Sequence, residues 1–187
     1  MTTIAIIVGS TRPGRKAQTV AEWVHGLASK RDDATYEIVD LADFDLPLLD
    51  EPFPPMMGRY THDHTKAWSQ KIGQYDGFVF VTPEYNHSTS AALKNAIDFL
   101  FHEWSNKAAG FVSYGMQGGT RAVEQLRLVM GELQVADVRS QVALSMITDF
   151  ENYSSFNPAE YHEARVTAML DEVVAWTNAL STVRAAA

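Results

Sequence analysis

Three short stretches of this chain combine glycine, hydroxyl, aromatic and basic residues in ways suited to holding an anion or a flat polar ligand. The first is Gly9-Ser10-Thr11-Arg12-Pro13-Gly14-Arg15-Lys16. Its glycines allow a tight turn, while hydroxyls and free backbone N–H groups ahead of a helix favour a phosphate. Arg12, Arg15 and Lys16 add three positive charges. The stretch is neither a Walker A loop nor a GxGxxG fingerprint, and a surface turn with solvated cations is the competing reading. The second stretch is Thr82-Pro83-Glu84-Tyr85-Asn86-His87-Ser88. Proline fixes its backbone, and Tyr85 and Asn86 offer a ring face and an amide; a plain turn capped by Asn86 or Ser88 explains it equally well. The third, Ser113-Tyr114-Gly115-Met116-Gln117-Gly118-Gly119-Thr120-Arg121, has three glycines and an aromatic, which suit a backbone passing close to a planar ring or simply a tight turn into the following helix.

Other polar residues read more simply. The chain has no cysteine, which removes disulfides, thiolate nucleophiles and cysteine-held metals. His62 and His64 flank Asp63, but without a clear third ligand they read as the solvated start of a helix, so no metal is expected. His87 reads as a structural hydrogen-bonding residue as readily as a modulator of chemistry. Lys94, Asn95 and Asp98 share one helical stretch, where helix packing or a subunit contact explains them. Trp23, Trp68 and Trp104 read as core or interface residues.

The three stretches must be placed by regular elements, and the pattern supplies them. Ile4–Val8 is an apolar, β-branched run of the kind buried on both faces of a parallel sheet. Ala17, Val20, Ala21, Val24, Leu27 and Ala28 then recur at helical spacing. Strands are expected at Tyr36–Leu41, Gly77–Thr82, Ala108–Ser113 and Val138–Leu144. Helices are expected from Ser90 to Trp104 and from Ala122 to Leu133, with a last one opening near Pro158 under an Asn157 cap. Alternating strands and helices give an α/β three-layer sandwich around a five-stranded parallel sheet. In such sheets ligands bind outside the carboxyl ends of the strands, where the strand order reverses. All three stretches directly follow a strand. Leu46–Met57, with four prolines and several large apolar residues, reads as an ordered loop packed against something, a second subunit being one candidate.

Composition narrows the functions open to the chain. Its 187 residues suit one domain (1–187), with 46% hydrophobic and 20% charged residues. A net charge of −8 argues against nucleic acid as partner. No apolar run approaches the roughly 18 residues of a membrane span. With no basic, apolar leader and no cysteine, a cytoplasmic location is expected.

Taken together, GSTRPGR, TPEYNHS…LKNAIDFL and SYG…GGTRA resemble the NADPH-dependent FMN reductase family, from Ile4 to about Leu144. The PEYN–S–LKNAID block is the most specific part. The resemblance implies a flavodoxin-like fold with sheet order 2-1-3-4-5. It also implies bound FMN, NADPH or NADH as electron donor, a small acceptor such as free flavin or a quinone, and a homodimer or homotetramer. Carried over by position, Ser10, Arg12, Arg15, Gln18 and Thr19 would surround the FMN phosphate. Pro83, Glu84, Tyr85, Asn86 and Ser88 would line the isoalloxazine, and Tyr114, Gly115, Gly118 and Gly119 would close its other side. The family often carries Ser-x-Asn after the arginine, where this chain has Arg15-Lys16-Ala17-Gln18-Thr19, so which side chains meet the phosphate stays open. No catalytic side chain is implied, because the flavin carries the chemistry. A flavodoxin-type electron carrier without enzymatic activity is the alternative. A phospho-acceptor receiver domain would need acidic residues where Val8-Gly9-Ser10 stands.

Overall fold

The computed structural model describes residues 1–186. Strand β1 (Thr3–Val8) leads through the first glycine-containing stretch to α1 (Ala17–Ala28), and β2 (Thr35–Asp40) follows. After the proline-rich loop come α2 (Asp63–Gly73), β3 (Gly77–Pro83), α3 (Ala91–Asp98), β4 (Ala108–Gly115), α4 (Thr120–Glu132) and β5 (Ala136–Ser145). A two-stranded hairpin, β6 (Phe150–Glu151) and β7 (Ser155–Phe156), precedes the long closing helix α5 (Tyr161–Ala186). The five long strands form one sheet in the order β2-β1-β3-β4-β5, with every neighbouring pair parallel.

Alternation along the strands sorts the core into two layers. Ile4, Ile6 and Val8 of β1 face α1 and α5, where they join Val20, Val24, Val166 and Leu170. Ala5 and Ile7 face the other side, with Trp68, Leu93, Ile97, Trp104 and Leu126 from α2, α3, α4 and their connections. β1, β3 and most of β4 are buried throughout, so their continuous apolar runs cover both faces.

Two boundaries differ from the sequence expectation. The helix expected to reach Trp104 ends at Asp98. Indole N–H groups take its last carbonyls: Trp68 donates to Ala96 O (2.8 Å) and Trp104 to Ile97 O (3.1 Å). The closing helix opens at Tyr161 instead of near Pro158. Asn157 does not cap it: its side chain donates to Glu151 (2.8 Å) and its N–H to Asp149 O (2.9 Å), tying it to the hairpin. Neither the hairpin nor the body of α2 stands out in the pattern. The start of α2 does, with His62 at its N-cap and His64 in its first turn, facing Asp50 at 2.9 Å. The Leu46–Met57 loop is ordered, with one short 3-10 turn at Pro55–Met57.

Candidate functional site

The chain leaves β1 toward β2 on one side and returns to β3 on the other, so the order reverses between β1 and β3. The loops after β1, β3 and β4 meet there. Gly9 is fixed by this junction: its N–H donates to Val81 O (2.8 Å), and a Cβ at Gly9 would lie 2.6 Å from that oxygen. Ser90 locks the same junction from α3. Its hydroxyl donates to Gly9 O (2.5 Å) and accepts the Leu93 N–H (3.0 Å) as the helix cap. Ser90, and not Ser88 or Asn86, therefore performs the capping. Cap chemistry alone points to Asn86 or Ser88, two or more residues too early.

The first loop gathers its cations on one cavity. Arg12, Pro13, Gly14, Arg15, Lys16, Tyr85, Tyr114, Met146 and Tyr153 line a space of about 240 Å³. Ser10 is buried; its Oγ lies 3.4 Å from the Tyr85 hydroxyl and accepts the Arg12 N–H (3.4 Å). The Arg12 guanidinium stands 5.9 Å from the Tyr85 ring centre. Arg15 forms an ion pair with Asp40 at the end of β2, yet its Nε is buried with no hydrogen-bond partner. Above them, α1 opens with no side-chain cap and no acidic residue in its first turn, an arrangement that favours an anion there. Tyr114 lies beneath this loop. Burial first, and then the neighbouring Tyr85, push its phenol above its ordinary pKa, against the Ala17 N–H at the start of α1 and the pull of Arg12 and Arg15. It is therefore a neutral O–H donor at physiological pH. Gln18 and Thr19 contribute only backbone at this end: both side chains are exposed, and Gln18 donates to Glu22 on the outer face of α1 (3.1 Å).

The other two loops make an edge beside that cavity. Tyr85 and Ser88 exchange backbone hydrogen bonds (2.9 and 3.1 Å) around Asn86 and His87, which have φ of 48° and 73°. This is the primed hairpin turn that Asn favours. Asn86 and His87 are exposed at its tip, and Pro83 is buried in register with Tyr114. Glu84 joins the two loops: its N–H donates to Tyr114 O (3.1 Å) and its carboxylate accepts the Arg121 N–H (3.2 Å). That carboxylate, only 6% exposed, also pairs with the Arg121 guanidinium. In the third loop, Gly118 N–H donates to Gly115 O (3.0 Å) and Ser113 Oγ to Gly118 O (2.7 Å). Gly119 begins α4 at φ 69°, where a Cβ would lie 2.8 Å from the Tyr114 nitrogen. The second and third loops thus lie side by side at the carboxyl edge of the sheet, and Tyr85 and Tyr114 carry them to the cationic cavity of the first loop.

A larger crevice of about 480 Å³ opens on the β2 side, lined by Thr11, Leu41, Ala42, Phe44, Asp45, Leu46 and Pro47. It has no cation. Among the described residues no group of three or more His, Cys, Asp or Glu side chains is arranged to hold a metal.

Residues 2–149 match the family model described as NADPH-dependent FMN reductase. The chain belongs to that family. An NAD(P)H-dependent FMN reductase of Schizosaccharomyces pombe is 45% identical over 148 residues, covering 78% of this chain and 74% of that protein. A quinone reductase of Escherichia coli is 32% identical over 136 residues, 68% of each. Among solved structures, the flavoenzyme NAD(P)H:(acceptor) oxidoreductase FerB of Paracoccus denitrificans superimposes with a TM-score of 0.74. It covers 95% of this chain and 98% of that one at 19% identity, a likeness that speaks to the fold alone. Sequence reading did not select Met146 and Tyr153, which line the cationic cavity, Asp40, which pairs with Arg15, or Ser90, which locks the β1–β3 junction. Each lies outside the three stretches and is brought in only by the topology.

Proposed function

We propose that this chain is an NAD(P)H-dependent FMN reductase that passes electrons from a nicotinamide to a small acceptor, a free flavin or a quinone. The observation that carries the reading is the cationic pocket where the loops after β1, β3 and β4 meet, at the point where the sheet order reverses. The residues fit FMN. The buried, unpartnered Nε of Arg15 is a donor without an acceptor, and the uncapped first turn of α1 favours an anion; a phosphate would answer both.

In this reading Ser10, Arg12, Arg15 and the backbone of Gln18 and Thr19 hold the phosphate. Pro83, Glu84, Tyr85, Asn86 and Ser88 line one edge of the isoalloxazine, and Gly115, Gly118 and Gly119 the other. Tyr114 sits on the phosphate side, donating from below. When bound, FMN would supply the two-electron chemistry that links a nicotinamide donor to a small acceptor. The chain's own part is positional. The three loops would hold the reactants in line, their backbones already fixed by hydrogen bonds to one another. Glu84 keeps the second and third loops together while the site is used.

A homodimer, or a dimer of such dimers, belongs to the same proposal. Leu48, Met56 and Met57 are more than half exposed on an ordered loop, an apolar patch that a second copy would cover. A cytoplasmic location fits a chain without cysteine. No described helix is long and apolar enough to cross a membrane. The alternative of a flavodoxin-type carrier is separated from a reductase by one property: only the reductase has its bound flavin reduced directly by a nicotinamide.

A further inference from the structure

The hairpin β6–β7 begins at residue 150, one residue past the end of the family match, and its tip reaches the phosphate pocket. Its root is rigid. Phe150 is buried, with its ring centre 6.0 Å from Tyr114 and 5.1 Å from Phe156, and Phe156 meets Trp23 of α1 edge-on at 5.5 Å. The Asp149 carboxylate, buried at the base, accepts the N–H groups of Ser145 (2.8 Å) and Ala159 (3.2 Å) and lies 3.1 Å from His162 Nε2. At the tip, Lys16 of the first loop donates to Ser154 Oγ (3.2 Å). The hairpin is thus clamped to the core at one end and to the pocket's own lysine at the other.

The tip residue is not one that a turn would choose. Asn152 and Tyr153 both have positive φ, 51° and 56°. Asn and Gly adopt this conformation readily, whereas a bulky side chain does so at a cost. Tyr153 does so with its side chain largely in solvent, so no core contact repays it. What Tyr153 does touch is the pocket, which it lines together with Met146.

Resting on the FMN reading above, we propose that this hairpin, through Tyr153, restricts the site to a flavin mononucleotide. A cavity of about 240 Å³ falls below the ~300–1,000 Å³ of pockets for larger ligands, and suits a terminal phosphate with the chain that bears it. FMN ends at that phosphate. FAD continues from the same phosphate into a second phosphate and an adenosine, which must leave past the cavity's lining. Met146 and Tyr153 are the side chains that the outer loops add to that lining, and a wall that clashes with the longer ligand is how such discrimination is built.

The test is a fluorescence titration of flavin-free protein with FMN and with FAD. Wild type, Tyr153→Phe and Tyr153→Gly are compared. Glycine keeps the positive φ of the turn, so that variant folds with the ring removed. Wild type and Tyr153→Phe are expected to share one strong preference for FMN. In Tyr153→Gly the ratio of the two affinities should narrow by roughly tenfold or more, through tighter FAD binding. An unchanged ratio in Tyr153→Gly, or a wild type that takes FAD as tightly as FMN, overturns the proposal. A wild type that binds neither flavin overturns the function reading itself, an outcome distinct from both.

Discussion

Arg15 has a guanidinium that faces two ways. One nitrogen pairs with Asp40 at the end of β2, and its Nε lies buried and unpartnered beside the pocket. The Asp40 pair fixes the side chain, and the free donor is what remains for an anion. Hydrogen bonds involving a charged group contribute about 1.5–3 kcal/mol. Replacing Arg15 with Ala should therefore weaken FMN binding by roughly 10–100-fold while leaving riboflavin, which lacks the phosphate, bound as before. Titration of the variant with both flavins reads this directly, and an equal loss for both would place Arg15 away from the phosphate. The arginines and the glycine turns were legible in the sequence because their types are unusual at the end of a strand. Asp40, Ser90, Met146 and Tyr153 were not, since aspartate, serine, methionine and tyrosine are ordinary there and only the parallel packing gathers them. The resemblance set Tyr114 with the glycine loop, whereas the structure puts its ring on the cationic cavity. Residue type does not tell whether a phenol runs above a loop or beneath it.

Elements decide how firmly the loops are held. Asn95 on α3 donates to Pro47 O (2.7 Å) and accepts the Leu49 N–H (3.0 Å), pinning the proline-rich loop as a strand partner would. Lys94 and Asp98 of the same helix form an i,i+4 pair at 2.7 Å, an arrangement of solvated charges. The loop has further ties: His102 lies 2.8 Å from Met56 O, and Glu51 accepts the N–H groups of Thr61 and His62. Burial opposes ionisation of Glu51, but its hydrogen bonds from Thr61 and His62 outweigh it and hold the carboxyl at about 2. Changing Asn95 to Ala removes two hydrogen bonds, each contributing about 1 kcal/mol, and frees the segment that bears Leu48 and Leu49. Sedimentation velocity should show a self-association weaker by roughly tenfold in a protein that still melts cooperatively. Association equal to wild type would mean that copies do not meet through this loop. Periodicity found the strands and the apolar helix stripes. It missed the hairpin, whose strands are two residues each, and it overran α3 because indole donors from distant positions end that helix.

At the scale of the whole molecule, the two ends of the sheet carry opposite demands. The carboxyl end concentrates cations that a ligand can satisfy. At the amino end, Lys107 is buried against Phe78, its ammonium 5.4 Å from that ring and 3.5 Å from Ile72 O. Burial first, and then Arg184, push it from the usual 10.5 down to about 8, against the pull of Asp76 and Glu103. A depressed lysine pKa means that the fold disfavours the charged form. The penalty is fully present below pH 8 and is relieved between about 8 and 10.5 as the unfolded chain also loses its proton. Lys107→Met should thus stabilise the protein at pH 7 by about 1–3 kcal/mol, a gain that fades toward pH 10. Denaturant melts at both pH values check it, and a variant less stable than wild type at pH 7 would contradict the account. The central claim concerns the other end. It is tested most directly by reconstituting the protein with FMN and recording its visible spectrum without oxygen, before and after adding NADPH or NADH. The account predicts that the oxidised flavin band near ~450 nm disappears and returns when a quinone or free flavin is added. A bound flavin that neither nucleotide bleaches, with the band unchanged after long incubation, would contradict it.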